Sequence, residues 1–114
     1  MAYATLAADA GFFDRTFVEC IDDAIQSILG AQVAVSLFTH LEDCYGLTRD
    51  EIPCRLDVFF NGLEISFGQS SGRAIGKFII KVFYRRLGLE FDSRSNWVPL
   101  DYMEAARRKL GLEN

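Results

Sequence analysis

The chain has 114 residues, half of them hydrophobic and 25% charged, with a formal net charge of −4. That length suits one domain able to bury a core without metal or disulfide staples, and the composition excludes a disordered chain. No apolar run approaches the roughly 20 residues that cross a bilayer, and the opening MAYATLAADAG lacks the basic and long apolar regions of a secretory signal. The three Cys contain no CxxC pair, so the expected setting is reducing and cytoplasmic.

Taken in order, the apolar segments end at Gly30, Gly46, Gly68, Gly88 and Gly111. Glycine just past a helix accepts the left-handed conformation that other residues resist. Five such stops predict five helices, and no bounded period-2 alternation argues for a strand. A first helix over 14–29 places Phe17, Ile21, Ala24, Ile25 and Ile28 on one face and Glu19, Asp22, Asp23 and Gln26 on the other. A second, over 31–44, groups Val33, Leu37, Leu41, Cys44 and Tyr45. Thr48 and Glu51 match a capping box for a short helical turn that stops near Pro53. A third helix over 55–67 turns Leu56, Phe59, Phe60, Leu63 and Phe67 inward.

The fourth helix, over 70–87, carries the strongest pattern. Arg73, Lys77, Lys81 and Arg85 recur every fourth residue and cover an arc of roughly 120°. Ile75, Phe78, Ile79, Val82, Phe83 and Leu87 fill most of the rest, with Ile80 and Tyr84 flanking the basic stripe. After Gly88, residues 89–96 read as polar and extended. Pro99, Asp101 and Glu104 then favour the start of a last helix near 100–110. Its apolar positions are few, so it reads as an appendage docked by Trp97 or a lever reaching a neighbouring subunit. The expectation is an all-α bundle of about five helices, divided as an N-terminal segment (1–13), a helical domain (14–91) and a C-terminal extension (92–114).

Two blocks together resemble a known family. LFTHLEDCYGLTRDEIP (37–53) is a helix, a Tyr-Gly stop and an Ile-Pro turn. FFNGLEISFGQSSGRAIGKFIIKVFYRRLGLEF (59–91) is a Phe-Gly break, a small-residue turn and a long apolar-basic helix. This order is similar to the Nitrosopumilus output domain, fifth of its series, a small helical module of archaeal proteins. The resemblance implies a signalling-output role and brings no catalytic residues with it. The chain departs from the family pattern by lacking a sensor domain within its 114 residues and by adding the segment that contains Trp97.

The charge is divided along the chain. Residues 1–66 hold three basic and eleven acidic side chains, a net of −8, and residues 67–114 hold nine basic and five acidic, a net of +4. Either the halves neutralise one another inside the fold, or opposite faces steer a partner or a second copy. The basic stripe is the leading candidate surface, with Arg73, Lys77, Lys81 and Arg85 as its charges and Ile80 and Tyr84 as its apolar anchors if they are exposed. The alternative is a solvated face whose lysine stems cover apolar surface. A protein partner or homo-oligomer ranks ahead of nucleic acid, because the sequence pI is near 4.9 and no aromatic stacking motif appears.

Three further features have chemical readings. His40 and Cys44, four apart, share a helix face and could supply two ligands to a soft metal, although a structural site needs four. The alternative is a local hydrogen bond. The turn 67–73 could hold an anion at a helix N-terminus, but it lacks the Walker spacing and reads more simply as an interhelical turn. The phenylalanines could line a ligand pocket, which makes a small-molecule or metal sensor the competing reading, although phenylalanine at helical spacing is ordinarily core. No paired carboxylates, triad or cofactor fingerprint marks an enzyme, and no cofactor is expected.

Overall fold

In the computed structural model, residues 10–112 are described. They form α1 (Ala10–Leu29), α2 (Ala31–Tyr45), a 3-10 turn (Arg49–Cys54), α3 (Leu56–Phe67), α4 (Gln69–Leu87) and α5 (Pro99–Lys109). No strand occurs among the described residues, and the architecture is the all-α bundle that the spacing predicts. All five glycine stops take positive φ.

The helices form where apolar residues recur at helical spacing, and their ends follow from local chemistry. α1 begins at Ala10 rather than near residue 14. Phe13 is fully buried and packs edge-on against Phe83 with ring centroids 4.9 Å apart. Residues 10–13, expected in the N-terminal segment, belong to the helix, and the rest of that segment, 1–9, lies outside the described residues. On α2, Ala34, Leu37, Phe38 and Leu41 are buried, whereas Cys44, expected on that face, is exposed. At the 3-10 turn the Thr48 N–H and hydroxyl both donate to Glu51 Oε1, at 3.2 and 3.1 Å. The backbone bond, then the hydroxyl bond, holds the Glu51 carboxyl below its ordinary pKa.

Two joints have no loop at all. Gly30 (φ 96°, ψ 162°) links α1 to α2, and Gly68 (φ 90°, ψ 157°) links α3 to α4. This backbone region is open essentially to glycine alone. The tight Gly68 joint folds α4 back along α3, and the helices meet closely at Gly72. A Cβ on Gly72 would lie 2.5 Å from the Glu64 Cα and 2.6 Å from its nitrogen.

One core holds all the helices together. Phe17 packs on Phe83 at 5.0 Å, and Phe59 on Phe60 at 5.1 Å. These edge-on contacts add to the burial of large apolar surfaces. Tyr102, Met103 and Ala106 of α5 belong to the same buried cluster. The expected C-terminal extension is thus built into the core of its own chain. α5 starts as its sequence suggests, with Pro99 in the first turn and the Val98 N–H bonded to Asp101 at 2.9 Å.

The divided charge closes partly within the chain. Arg86 on α4 pairs with Asp23 at 2.9 Å and Glu19 at 3.9 Å. Arg107 on α5 pairs with Asp14 at 3.3 Å, and Arg49 pairs with Asp22 at 3.4 Å. Through Arg86 and Arg107 the acidic face of α1 thus meets the basic half in the same molecule, while Arg49 pairs within the acidic half. Exposed pairs of this kind add little stability, but they lower the charge that face offers to a second copy.

Candidate functional site

The flank of α4 beside the basic stripe is covered rather than open. Ile80 is 0% exposed and Tyr84 2%, so neither can project as an apolar anchor. The cause lies outside α4: residues 89–98 run back along that flank and deliver α5 against it. The Tyr84 hydroxyl donates to the Tyr102 carbonyl at 2.6 Å in a buried contact. Burial, with Tyr102 nearby, raises the Tyr84 pKa, so the phenol stays protonated and donating.

Where α4, the 89–98 segment and α5 meet, two recesses open on either side of one wall. The first, of about 250 Å³, is floored by Ile80, walled by Trp97, Val98 and Pro99, and edged by Arg73, Lys77 and Arg94. The second, of about 350 Å³, lies between Tyr84, Asp92, Ala105, Arg108 and Lys109. Arg94, Trp97 and Tyr102 line both and form the partition. Five cations border the two recesses against a single carboxylate, Asp92.

The partition is held firmly by its own contacts. The Arg94 N–H donates to the Tyr102 hydroxyl at 2.8 Å, and that hydroxyl donates back to the Arg94 carbonyl at 3.2 Å. The Arg94 guanidinium lies 5.0 Å from the Trp97 ring centroid. Trp97 meets Tyr102 edge-on at 5.0 Å, and Phe91 stacks on Tyr102 with ring centroids 5.0 Å apart. A wall fixed this way needs little ordering when a ligand arrives.

The basic stripe divides between the cleft and the outer surface. Arg73 and Lys77 edge the first recess, although Arg73 also pairs with Glu64 at 3.3 Å and Lys77 donates to the Ser93 hydroxyl. Lys81 lies 5.8 Å from the Phe91 ring centroid and lines neither recess. Arg85 is exposed and also outside both. Ile80 and Tyr84 contribute floor and wall instead of protruding contacts. The residues that complete the cleft, Arg94, Trp97, Val98 and Tyr102, lie outside the helix that carries the pattern. Their sequence signal is one Trp between an Arg and a Pro in a polar segment.

The other candidate residues do not assemble into a comparable site. Cys44 Sγ lies 3.4 Å from His40 Nδ1, which is the local hydrogen bond between residues four apart. Among the described residues no third His, Cys, Asp or Glu joins them in a group able to hold a metal ion. Cys20 is buried apart from them, and burial pushes its thiol pKa up to about 11. Ser70 and Ser71 sit in the first turn of α4, where they make a simple continuation from the Gly68 joint. Phe13, Phe17, Phe59 and Phe60 pack in the core, and Phe67 instead borders a shallow apolar groove with Val33 and Leu37. No described helix is long and apolar enough to cross a membrane. No protein-family model, curated protein or solved structure matches the chain, so its likeness to the output domain rests on residues 37–53 and 59–91 alone.

Proposed function

We propose that the protein is a non-enzymatic interaction module that engages an acidic protein partner at the cleft between α4 and α5. The observation that carries this reading is the sign of the cleft: Lys77, Arg94, Arg108 and Lys109 line it beside one carboxylate, Asp92, and Arg73 at its edge is already paired with Glu64. Clustered charge of one sign in a concave surface attracts and orients an oppositely charged partner. Tryptophan and tyrosine beside arginine are also the side chains that most often dominate protein interfaces. The output-domain resemblance supports the same class of role, since an output module passes a signal by contact. A partner other than a second copy is favoured, because Glu19, Asp22 and Asp23 are already paired within the chain.

Trp97 is the only tryptophan, and it reports on the cleft directly. Titration with poly-L-glutamate at low ionic strength should change Trp97 emission saturably, and added salt should weaken the response. The double variant Lys77→Glu, Arg94→Glu should lose the heat of binding in calorimetry. Unchanged emission together with no heat of binding in the wild type rejects the reading.

A further inference from the structure

The two recesses differ in what their walls can accept, and that difference describes the partner more closely. The first offers the apolar surface of Trp97, Val98 and Pro99 over the buried Ile80, with Ser95, Asn96 and cations at its edge. At about 250 Å³ it falls below the roughly 300–1,000 Å³ of sites that enclose a whole small ligand, and the second, at about 350 Å³, lies at the bottom of that range. The first suits one aromatic or branched side chain. The second has little aliphatic surface beyond Ala105 and is bordered by Arg94, Arg108 and Lys109 against the single carboxylate of Asp92, so its rim is net positive. It suits a carboxylate.

We infer that the partner presents a short linear segment in which an apolar side chain and neighbouring carboxylates straddle the Arg94–Trp97–Tyr102 partition, the apolar group in the first recess and an acid in the second. This inference rests on the interaction reading above and adds the composition of the bound segment to it. A linear segment fits because two recesses across one wall match side chains two apart in an extended chain, which point to the same side. Desolvation of an apolar side chain supplies affinity that surface charges alone rarely give, while the cations set orientation and sign. Val98, 52% exposed at the mouth of the first recess, is left uncovered by the protein's own fold. Its side chain is the surface that the apolar anchor would cover.

The test compares three short labelled peptides by fluorescence anisotropy. One carries a Phe flanked by Asp and Glu. The second has Gly in place of the Phe with the same charge. The third keeps the Phe but has Gln and Asn for the acids. The first should bind about tenfold or more tightly than either of the others. In Val98→Asp the advantage due to Phe should vanish. That substitution is at an exposed position before α5, where aspartate favours the helix start, so circular dichroism should show an intact fold. In Lys109→Gln the advantage due to the acids should shrink while that due to Phe remains. Equal binding of the first two peptides overturns the inference and leaves the acidic-partner reading standing. Binding of single-stranded oligo-dT as tight as that of the first peptide overturns it in favour of a surface for any polyanion. Silence of Trp97 toward both the peptides and poly-L-glutamate, together with no heat of binding to either, removes the parent reading as well.

Discussion

Replacing Gly72 with alanine tests the packing on which the whole arrangement depends. The added Cβ would lie 2.5 Å from the Glu64 Cα, 2.6 Å from the Glu64 nitrogen and 2.7 Å from the Leu63 carbonyl carbon. These are backbone atoms of α3, which cannot turn aside as a side chain can. Restoring an ordinary carbon contact of about 3.5 Å means moving α3 and α4 apart by about 1 Å. That displacement loosens Leu63, Phe60 and Ile79 in a core packed as densely as a crystal. Overpacking costs about 1–3 kcal/mol, and three simultaneous backbone contacts place this case at the upper end. Alanine's better helix propensity returns about 1 kcal/mol, which leaves a net loss of about 2 kcal/mol. Urea unfolding followed by far-UV circular dichroism measures it, and the melting temperature should fall by roughly 8 °C. Gly76→Ala is the control. Its Cβ would meet the Phe60 ring at 3.3 Å, a side chain that can give slightly, so its stability should stay within about 1 kcal/mol of wild type. A Gly72→Ala protein as stable as wild type would refute the close approach of α3 and α4.

Three other outcomes follow from the buried polar groups and the thiols. Tyr84→Phe removes the 2.6 Å bond to the Tyr102 carbonyl and should cost about 1–2 kcal/mol in chemical unfolding, with a change in Trp97 emission as the partition loosens. With Ellman's reagent at about pH 8, where free thiols react through their thiolate form, Cys44 and Cys54 should react quickly and Cys20 only after unfolding. The Cys20 thiol, raised by burial from 9.0 to about 11, is favoured in its neutral form by the fold. Its contribution to stability is therefore complete below pH 9 and is lost as pH rises toward about 11. Cys20→Ala should begin less stable but lose less between those limits in urea unfolding, since Tyr84, shifted in the same direction, remains in both proteins.

The helix ends are legible in the sequence because they depend on neighbours in the chain. Gly46 and Gly88 close α2 and α4 in left-handed conformations, and Pro99 with Asp101 opens α5. Inward faces are legible for the same reason, as with Phe17, Ile21 and Ile25 on α1. The early start of α1 is not, since Phe13 is drawn in by Phe83, 70 positions away in the chain. The cleft is legible only in half. The helical repeat exposes Arg73 and Lys77, but an isolated helix wheel cannot show that residues 89–98 cover Ile80 and Tyr84. That depends on the Tyr84–Tyr102 and Arg94–Tyr102 bonds, which exist only once α5 has docked.

The joints at Gly30 and Gly68 also limit how the chain can change in length. Each is a single residue between two helices, with nothing within 4 Å of where a Cβ would stand. Space is therefore not the constraint; handedness is. A D-alanine introduced by chemical synthesis would match the positive φ that L-alanine resists. One residue inserted within the first turn of α4, just past Gly68, would turn the rest of that helix by about 100° relative to the joint, swinging Ile79 and Phe83 out of the core and carrying the edge of the cleft with them. The segment 89–98 keeps no helical phase, but Phe91, Arg94 and Trp97 are each tied to Tyr102, so it has room for an inserted residue only at the exposed turn of Ser95 and Asn96.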